Sequence, residues 1–94
     1  MRIYILVFSG SMGKLEDVSG FLDSIPEVTD WCSDMPRSIF VKTTLSARQL
    51  GDKLQEKFPG QRYLINRVAK DRWGWLPRSS WNMFKEDEMY GEKE

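Results

Sequence analysis

Residues 38–58 read SIFVKTTLSARQLGDKLQEKF, a β-branched run followed by a helix with its own start signal. The first part, residues 38–44, is rich in β-branched and aromatic side chains, which favour a strand. A helix is predicted over residues 46–58, because Ser46 followed by Gln49 has the spacing of a capping box. An apolar stripe repeats along this helix, as expected for a helix with one buried face: Ala47, Leu50, Leu54 and Phe58.

The flanking segments add three further strands and another helix. Residues 2–9 (RIYILVFS) are apolar on both faces of a strand, and the spacing of apolar residues over 14–25 predicts a helix that ends before a proline. Residues 28–33 are predicted as the second strand, and the turn at residues 34–37 leads into the third. Residues 61–68 (QRYLINRV) alternate in polarity and are predicted as the fourth strand.

The order β-α-β-β-α-β predicts an α+β domain of ferredoxin-like type, in which two helices cover one face of a four-stranded antiparallel sheet. A short C-terminal helix is predicted over residues 77–84, with Pro77 as its first residue. We assign residues 1–84 to a single domain and residues 85–94 to an acidic, flexible tail. The second sheet face then requires a further layer, a partner or polar residues.

The composition is that of a small globular chain: 94 residues, 40% apolar and 30% charged. The apolar run at residues 3–8 is shorter than the about 7–15 residues of a signal peptide or the about 20 of a membrane helix. We therefore expect a cytoplasmic protein with no membrane association. Because Cys32 is the one cysteine, an intramolecular disulfide and a cysteine metal cluster are not expected.

The formal charge is zero but unevenly distributed. Residues 15–34 carry six acids and no base, residues 61–85 carry six bases and one acid, and residues 86–94 carry five acids and one lysine. The basic third would steer an anionic partner towards it. Alternatively, the opposite charges attract each other within one chain or between two subunits.

Of the residue types that commonly carry catalysis, histidine is absent from this sequence and cysteine occurs once. The absence of histidine removes the commonest general base and metal ligand. The glycines of residues 10–14 lack the spacing of a phosphate-binding loop and indicate a tight turn. Asp30, Asp34 and Asp71 are interpreted as solvated carboxylates, and Cys32 as a half-buried strand residue. We predict no catalytic residue, no metal and no cofactor, and favour a non-enzymatic role.

The strongest functional signal lies between residues 62 and 78, where basic residues and tryptophans alternate. Basic side chains bind phosphates and indoles stack on bases, so this segment predicts binding of a single-stranded nucleic acid. The residues predicted for that role are Arg62, Arg67, Lys70, Arg72, Trp73, Trp75 and Arg78.

A second interpretation of the aromatic segment, which we favour, is structural. Tryptophan buries a large area and is enriched at interfaces, so these side chains would cover the open sheet face or a seam between two copies. The residues predicted for this interface are Trp73, Trp75, Leu76, Trp81 and Phe84.

Three stretches also carry a resemblance to a known family: residues 2–7, residues 38–47, and residues 63–68 with the WGWLP sequence at 73–77. Together they resemble the small ferredoxin-like proteins related to the CRISPR-associated adaptation endonuclease subunit. Within that group the resemblance is to the SinR-like uncharacterised proteins and the GhoS-type antitoxins. It covers nearly the whole chain and implies homodimers whose sheets or C-terminal segments pack together.

The nuclease members of that family place an aspartate at the end of the first strand, two per dimer, to hold a divalent metal. Here the strand ends Val7-Phe8-Ser9-Gly10, without an acid. A serine is no equivalent of a carboxylate as a ligand for a hard cation. The departure argues against metal-dependent cleavage by that mechanism and leaves binding open.

Three functional hypotheses follow from the sequence. The first is a small dimeric, non-catalytic binding module that engages nucleic acid or a protein partner. The second is a nucleic-acid-processing enzyme of antitoxin-like or CRISPR-associated type. The third is a protein-interaction subunit with no nucleic-acid role, acting through its acidic helix face and tail.

Overall fold

The computed structural model describes residues 1–85 and contains each of the predicted helices and strands. In chain order these are β1 (Arg2–Phe8), α1 (Leu15–Asp23), β2 (Val28–Met35), β3 (Ser38–Thr43), α2 (Ala47–Lys57), β4 (Tyr63–Arg67) and α3 (Arg78–Phe84), with a 3-10 turn at Gly10–Met12 between β1 and α1. The α+β class is therefore confirmed. No helix within residues 1–85 combines the length and the apolar character that crossing a bilayer requires.

The hairpin between β2 and β3 is tighter than predicted. β2 continues to Met35, so the turn is shorter than the predicted one at residues 34–37. Ser33 supports the extended strand, because its Oγ donates to the Ser38 carbonyl at 2.6 Å and lies 2.9 Å from the Met35 carbonyl. These side-chain contacts bridge an irregularity in the ladder, where the register between the two strands shifts.

Helix ends follow the sequence signals with small differences. The capping box of α2 is confirmed, since Ser46 Oγ accepts from the Gln49 amide at 3.1 Å and Gln49 Oε1 accepts from the Ser46 amide at 2.9 Å. Pro77 is the N-cap of α3 rather than its first residue. α1 ends earlier than predicted, where Ser24 Oγ donates to the Phe21 carbonyl at 2.6 Å and satisfies a group at the helix end.

The four strands form one antiparallel sheet in the order β2-β3-β1-β4. β1 is central, and Leu6 lies in register between Ile39 of β3 and Ile65 of β4. A central strand is covered on both faces, which explains why β1 is apolar at nearly every position. β2 and β4 are the edge strands of this sheet.

α1 and α2 pack on one face of the sheet and form the main core. Alternate residues of a strand share a face, and Tyr4, Leu6 and Phe8 are the residues of β1 in this core. The predicted apolar faces of both helices are therefore the ones that are buried. The helical side chains that are fully inaccessible are Val18 and Leu22 from α1 and Leu50 and Leu54 from α2.

α3 packs on the other face of the sheet. Ile3 and Phe40 form a second core with Met83 and Phe84 of α3. The rings of Phe40 and Phe84 meet edge to face with centroids 5.0 Å apart. This arrangement adds about 0.5–1.5 kcal/mol to the stabilisation that burial of the rings provides. Of the predicted tail, residues 85–94, only Lys85 falls within the described residues, as the C-cap of α3.

Candidate binding surface

α3 covers only part of the second sheet face, and three of the four residues of a row beside it are exposed, whereas the fourth, Ser38, is buried. Strand pairing places Met35, Ser38, Val7 and Leu64 side by side across β2, β3, β1 and β4. Adjacent strands are about 4.8 Å apart, so this row spans about 14 Å. Its apolar members are 46%, 43% and 63% exposed for Met35, Val7 and Leu64, respectively. We call these three residues the open patch; exposed apolar groups on one face are typical of a binding surface.

A groove of about 630 Å³ lies next to the open patch. The next row of the sheet contributes Phe40, Ile5 and Asn66, which are register partners. The remaining lining comes largely from residues 67–76, which are the last residue of β4 and the connection from β4 towards α3. This connection passes beside the sheet, so it places Trp73 and Trp75 at the face that α3 leaves uncovered. The groove is also lined by Met35, Trp81 and Phe84.

Trp73 and Trp75 are the most exposed large apolar residues among residues 1–85. Trp73 is 99% exposed and Trp75 is 94% exposed, and both line the groove. Gly74 between them has open space where a Cβ would be. Neither indole belongs to either core, so these two side chains do not stabilise the fold by burial. Their exposed ring faces are available to a ligand.

The other three residues of the predicted interface set are packed within the chain. Phe84 is buried in the second core, and Leu76 and Trp81 pack against that core. Trp81 meets Phe84 edge to face at 5.5 Å. The aromatic set therefore divides into a part that covers the sheet within the chain and a part, Trp73 and Trp75, that faces outwards.

Three of the predicted basic residues line the groove or the concavity beside it: Arg67, Arg72 and Arg78. The Arg72 guanidinium carbon is 5.1 Å from the centre of the Phe84 ring, and Arg72 Nη1 donates to the Ala69 carbonyl at 2.6 Å. Arg78 begins α3 and lines a second concavity, of about 570 Å³, together with Trp81 and Lys85. Trp81 lines both concavities, so the basic groups of α3 and of residues 67–76 belong to one surface.

Lys70 and Arg72 lie in one tight turn, in which the Arg72 amide donates to the Lys70 carbonyl at 2.9 Å. Arg67, the last residue of β4, is in register with Tyr4 and is among the residues that line the groove. Arg62 is farther away, since its carbonyl accepts from the Ser9 amide at the other end of β4. β4 spans about 17 Å, so Arg62 lies apart from the tryptophans.

Hydrogen bonds attach α3 to β2 through residues whose pairing no sequence pattern indicated. Ser80 is 1% exposed, and its Oγ donates to Asp34 Oδ2 at 2.5 Å. The Cys32 thiol donates to Ser80 Oγ at 3.7 Å and lies 3.5 Å from Met83 Sδ. These contacts hold α3, and with it one wall of the groove, against the edge strand.

The Cys32 thiol has a raised pKa. Burial is the main cause, the carboxylates of Asp34 and Asp30 add to it, and the Ser80 hydrogen bond opposes it. A thiolate is the reactive form of cysteine, and a raised pKa keeps the thiol protonated at neutral pH. Cys32 thus acts as a packing residue between β2 and α3, and its half-buried position agrees with the prediction.

The end of β1 and the start of α1 form a closed turn. The Lys14 amide at the start of α1 donates to Asp17 Oδ2 at 2.9 Å, so a carboxylate of the chain already satisfies this group. The Arg37 side chain packs against Gly10, where a Cβ would come within 2.8 Å of Arg37 Nη2.

Within residues 1–85, no three Cys, Asp or Glu side chains are grouped so that they could hold a metal ion.

The open patch is the part of this surface that the sequence prediction missed. A signal for it exists, because Val7 and Leu64 are apolar at strand positions that face away from α1 and α2. Predicting the patch would have required the length and position of α3, which decide how much of that face is covered.

No family model, no curated protein and no solved structure matches the chain.

Proposed function

We propose that this chain is a non-catalytic, ferredoxin-like binding module that forms homodimers in the cytoplasm and binds single-stranded nucleic acid through Trp73 and Trp75. The sheet order supports the fold assignment. β3 lies between β1 and β2, and β1 lies between β3 and β4, so each β-α-β unit is split by a strand of the other.

The exposure of Trp73 and Trp75 is the observation that carries the proposal. Both side chains are more than nine-tenths exposed and contribute to neither core. Stacking of a base on an aromatic ring contributes about 1–3 kcal/mol per base and is tolerant of sequence. Two indoles separated by Gly74 give a platform of this kind, at a site where burial supplies no other reason for tryptophan.

The charge of the surrounding chain supports an anionic ligand. Between residues 67 and 78 there are four basic residues and one acid, Asp71. Arg72 and Arg78 line the two adjoining concavities between which Trp81 lies. Phosphates of a strand stacked on Trp73 and Trp75 would be attracted to these cations, and the attraction would weaken as salt rises.

The test is a titration of fluorescein-labelled single-stranded RNA at about 50 mM and about 200 mM salt. We expect binding that is tighter at the lower salt. Replacing Trp73 and Trp75 together by Ala removes two stacking rings and should weaken binding by at least about tenfold. Replacement of both by Phe is the matched control and should retain most of the affinity, because the rings remain.

Absence of binding at both salt concentrations would contradict the nucleic-acid role. Equal affinity of the wild type and the double Ala variant would show that Trp73 and Trp75 do not take part in RNA binding. Single-turnover cleavage of the RNA, abolished by changing one residue of this chain, would contradict the non-catalytic assignment and favour a processing enzyme.

Self-association is a second role that a separate observation favours. The open patch places exposed Val7 beside exposed Leu64 on the sheet face that α3 leaves uncovered. An isologous dimer would bury both copies of this patch against each other. A protein-interaction subunit with no nucleic-acid role, predicted from the sequence to act through its acidic helix face and tail, is the alternative if RNA does not bind.

A further inference from the structure

The groove beside the exposed tryptophans contains polar side chains as well as aromatic rings. Asn66, in the edge strand β4, and Asp71, in the connection from β4 to α3, are both exposed and both line it, as do Trp73 and Trp75. The groove volume of about 630 Å³ lies within the range of about 300–1,000 Å³ that is typical of sites for small organic groups. A base that stacks on an indole in this groove therefore has hydrogen-bonding groups near its edge.

Asp71 is an acid on a surface that otherwise attracts phosphates. It is the single acid among four bases within residues 67–78. A carboxylate repels phosphate and lowers the affinity for strands of every sequence. A surface that bound strands through their phosphates alone would gain nothing from this group, whereas the edge of a base can use it as an acceptor.

A carboxylate discriminates among the four bases by the order of donors and acceptors on their edges. It accepts hydrogen bonds through two oxygens and donates none. Guanine alone presents two adjacent donors, N1–H and the N2 amino group, which match the two oxygens as a guanidinium does. In adenine and cytosine the amino group lies beside an unprotonated ring nitrogen, and in uracil N3–H lies between two carbonyls. In these three bases an acceptor would therefore face a carboxylate oxygen.

Asn66 supplies the donor that the neighbouring group of guanine requires. Guanine O6 lies beside N1–H and is an acceptor, and the side-chain amide of Asn66 carries two N–H donors. Asn66 belongs to the sheet, where it is in register with Ile5, whereas Asp71 belongs to the connection that follows β4. The two polar groups thus reach the groove from different parts of the fold.

We infer that the groove binds a guanine base of the single strand, with Asp71 accepting from N1–H and the N2 amino group, Asn66 donating to O6, and the exposed indoles stacking on the ring. This inference rests on the proposed function and adds the base that the site selects. Any other base leaves a carboxylate oxygen without a donor after its water has been displaced, which disfavours that base. Bases elsewhere on the strand are bound without selection.

The test measures the affinity of the full-length protein for fluorescein-labelled RNA strands of about ten nucleotides, by anisotropy at about 50 mM salt. One strand is oligo-U, and the others carry guanosine, adenosine or cytidine at two central positions. We expect the guanosine strand to bind about five- to fiftyfold more tightly than the other three, which is the discrimination that a bidentate contact to one base provides. Inosine lacks the N2 amino group and should lose most of this gain. 7-Deazaguanosine keeps both donors and should retain it.

Asp71→Asn separates recognition of the base from general electrostatics. The amide has the size of the carboxylate but lacks the pair of acceptors, so the guanosine preference should fall below about twofold. Affinity for oligo-U should at the same time rise about twofold, because the phosphates meet one negative charge fewer. The matched control, Asp52→Asn, makes the same change at an exposed position of α2, which packs on the other face of the sheet, and should keep the preference.

Asn66→Ala tests the second contact. Loss of the donor to O6 should reduce the guanosine preference about threefold without abolishing it, because the contact of the carboxylate remains. An unchanged preference in this variant would contradict the role of Asn66.

Equal affinities for the guanosine, adenosine and cytidine strands, with oligo-U still bound, would overturn the inference and leave the proposed function standing. A guanosine preference that persists in Asp71→Asn would also overturn it, since the carboxylate would not be the selecting group. Absence of binding to every strand would instead overturn the proposed function, and the base selection with it.

Discussion

At the scale of single residues, the Cys32 thiol shows how burial sets chemistry. Its Sγ lies between β2 and α3, in contact with Ser80 Oγ and Met83 Sδ. Burial and the carboxylates of Asp34 and Asp30 raise the pKa of the thiol. In the unfolded chain the same thiol is solvated and titrates near its ordinary value, so folding stability is linked to pH through this group.

We predict that the contribution of Cys32 to stability is lost at high pH. Because the pKa is higher in the folded state, the unfolded chain releases its proton first as the pH rises. The stability advantage of the wild type over Cys32→Ala should be constant below the ordinary pKa of 9.0 and fall above it. Urea unfolding of both proteins from about pH 7 to about pH 11 measures this difference. A difference that stays constant or grows over that range would contradict the prediction.

At the scale of secondary-structure elements, α3 determines the form of the binding surface. It is a seven-residue helix, too short to be stable in isolation, so its position depends on contacts with the sheet. Those contacts are the ring pair of Phe40 and Phe84 and the hydrogen bond from Ser80 to Asp34. The groove beside Trp73 and Trp75 exists because α3 is held at this place.

We predict that Ser80→Ala loosens α3 and that Ser79→Ala does not. Hydrogen bonds to charged groups contribute about 1.5–3 kcal/mol, and water replaces part of this at the exposed Asp34, so a loss of about 1–2 kcal/mol is expected. Ser79 is the exposed neighbour with the same side chain, which makes it a matched control. Urea unfolding gives the stability loss, and amide hydrogen exchange should locate it in α3. Equal behaviour of both variants would show that the bond to Asp34 does not hold the helix.

At the scale of the whole molecule, the domain has one fully covered sheet face and one partly covered face. α1 and α2 close the first, whereas α3 leaves the row containing Val7 and Leu64 open on the second. A small domain gains stability when such a face is buried against a partner. Stable interfaces bury about 800 Å² per partner, so the open patch would have to act together with the groove and the exposed tryptophans.

We predict that Leu64→Lys weakens self-association by at least about tenfold. Leu64 is 63% exposed at the end of the open row, and a lysine there would place two like charges near each other in an isologous seam. Gln55→Lys on α2 adds the same charge on the other side of the sheet and should leave the association unchanged. Sedimentation equilibrium of the wild type and both variants measures the effect. A wild type that stays monomeric at high protein concentration would contradict the proposed homodimer.

The sequence by itself determined the helices and strands of this protein, because the signals for these elements are local. The capping box of Ser46 and Gln49 and the buried stripe of Leu50 and Leu54 act within a few residues of chain. Such signals depend on hydrogen bonds and periodicities that are complete within one element. The two amphipathic helices and four strands could therefore be predicted, with errors at the ends of elements, such as the end of α1 and the turn after Met35.

Only the tertiary structure decided which aromatic and apolar side chains are covered. Trp73, Trp75 and Trp81 look alike in sequence, yet the first two are exposed and the third packs on Phe84. The difference depends on where a short helix docks, through contacts between residues as distant in sequence as Asp34 and Ser80. Exposure is a property of the assembled surface, since water is excluded by neighbours in space and not by neighbours in the chain.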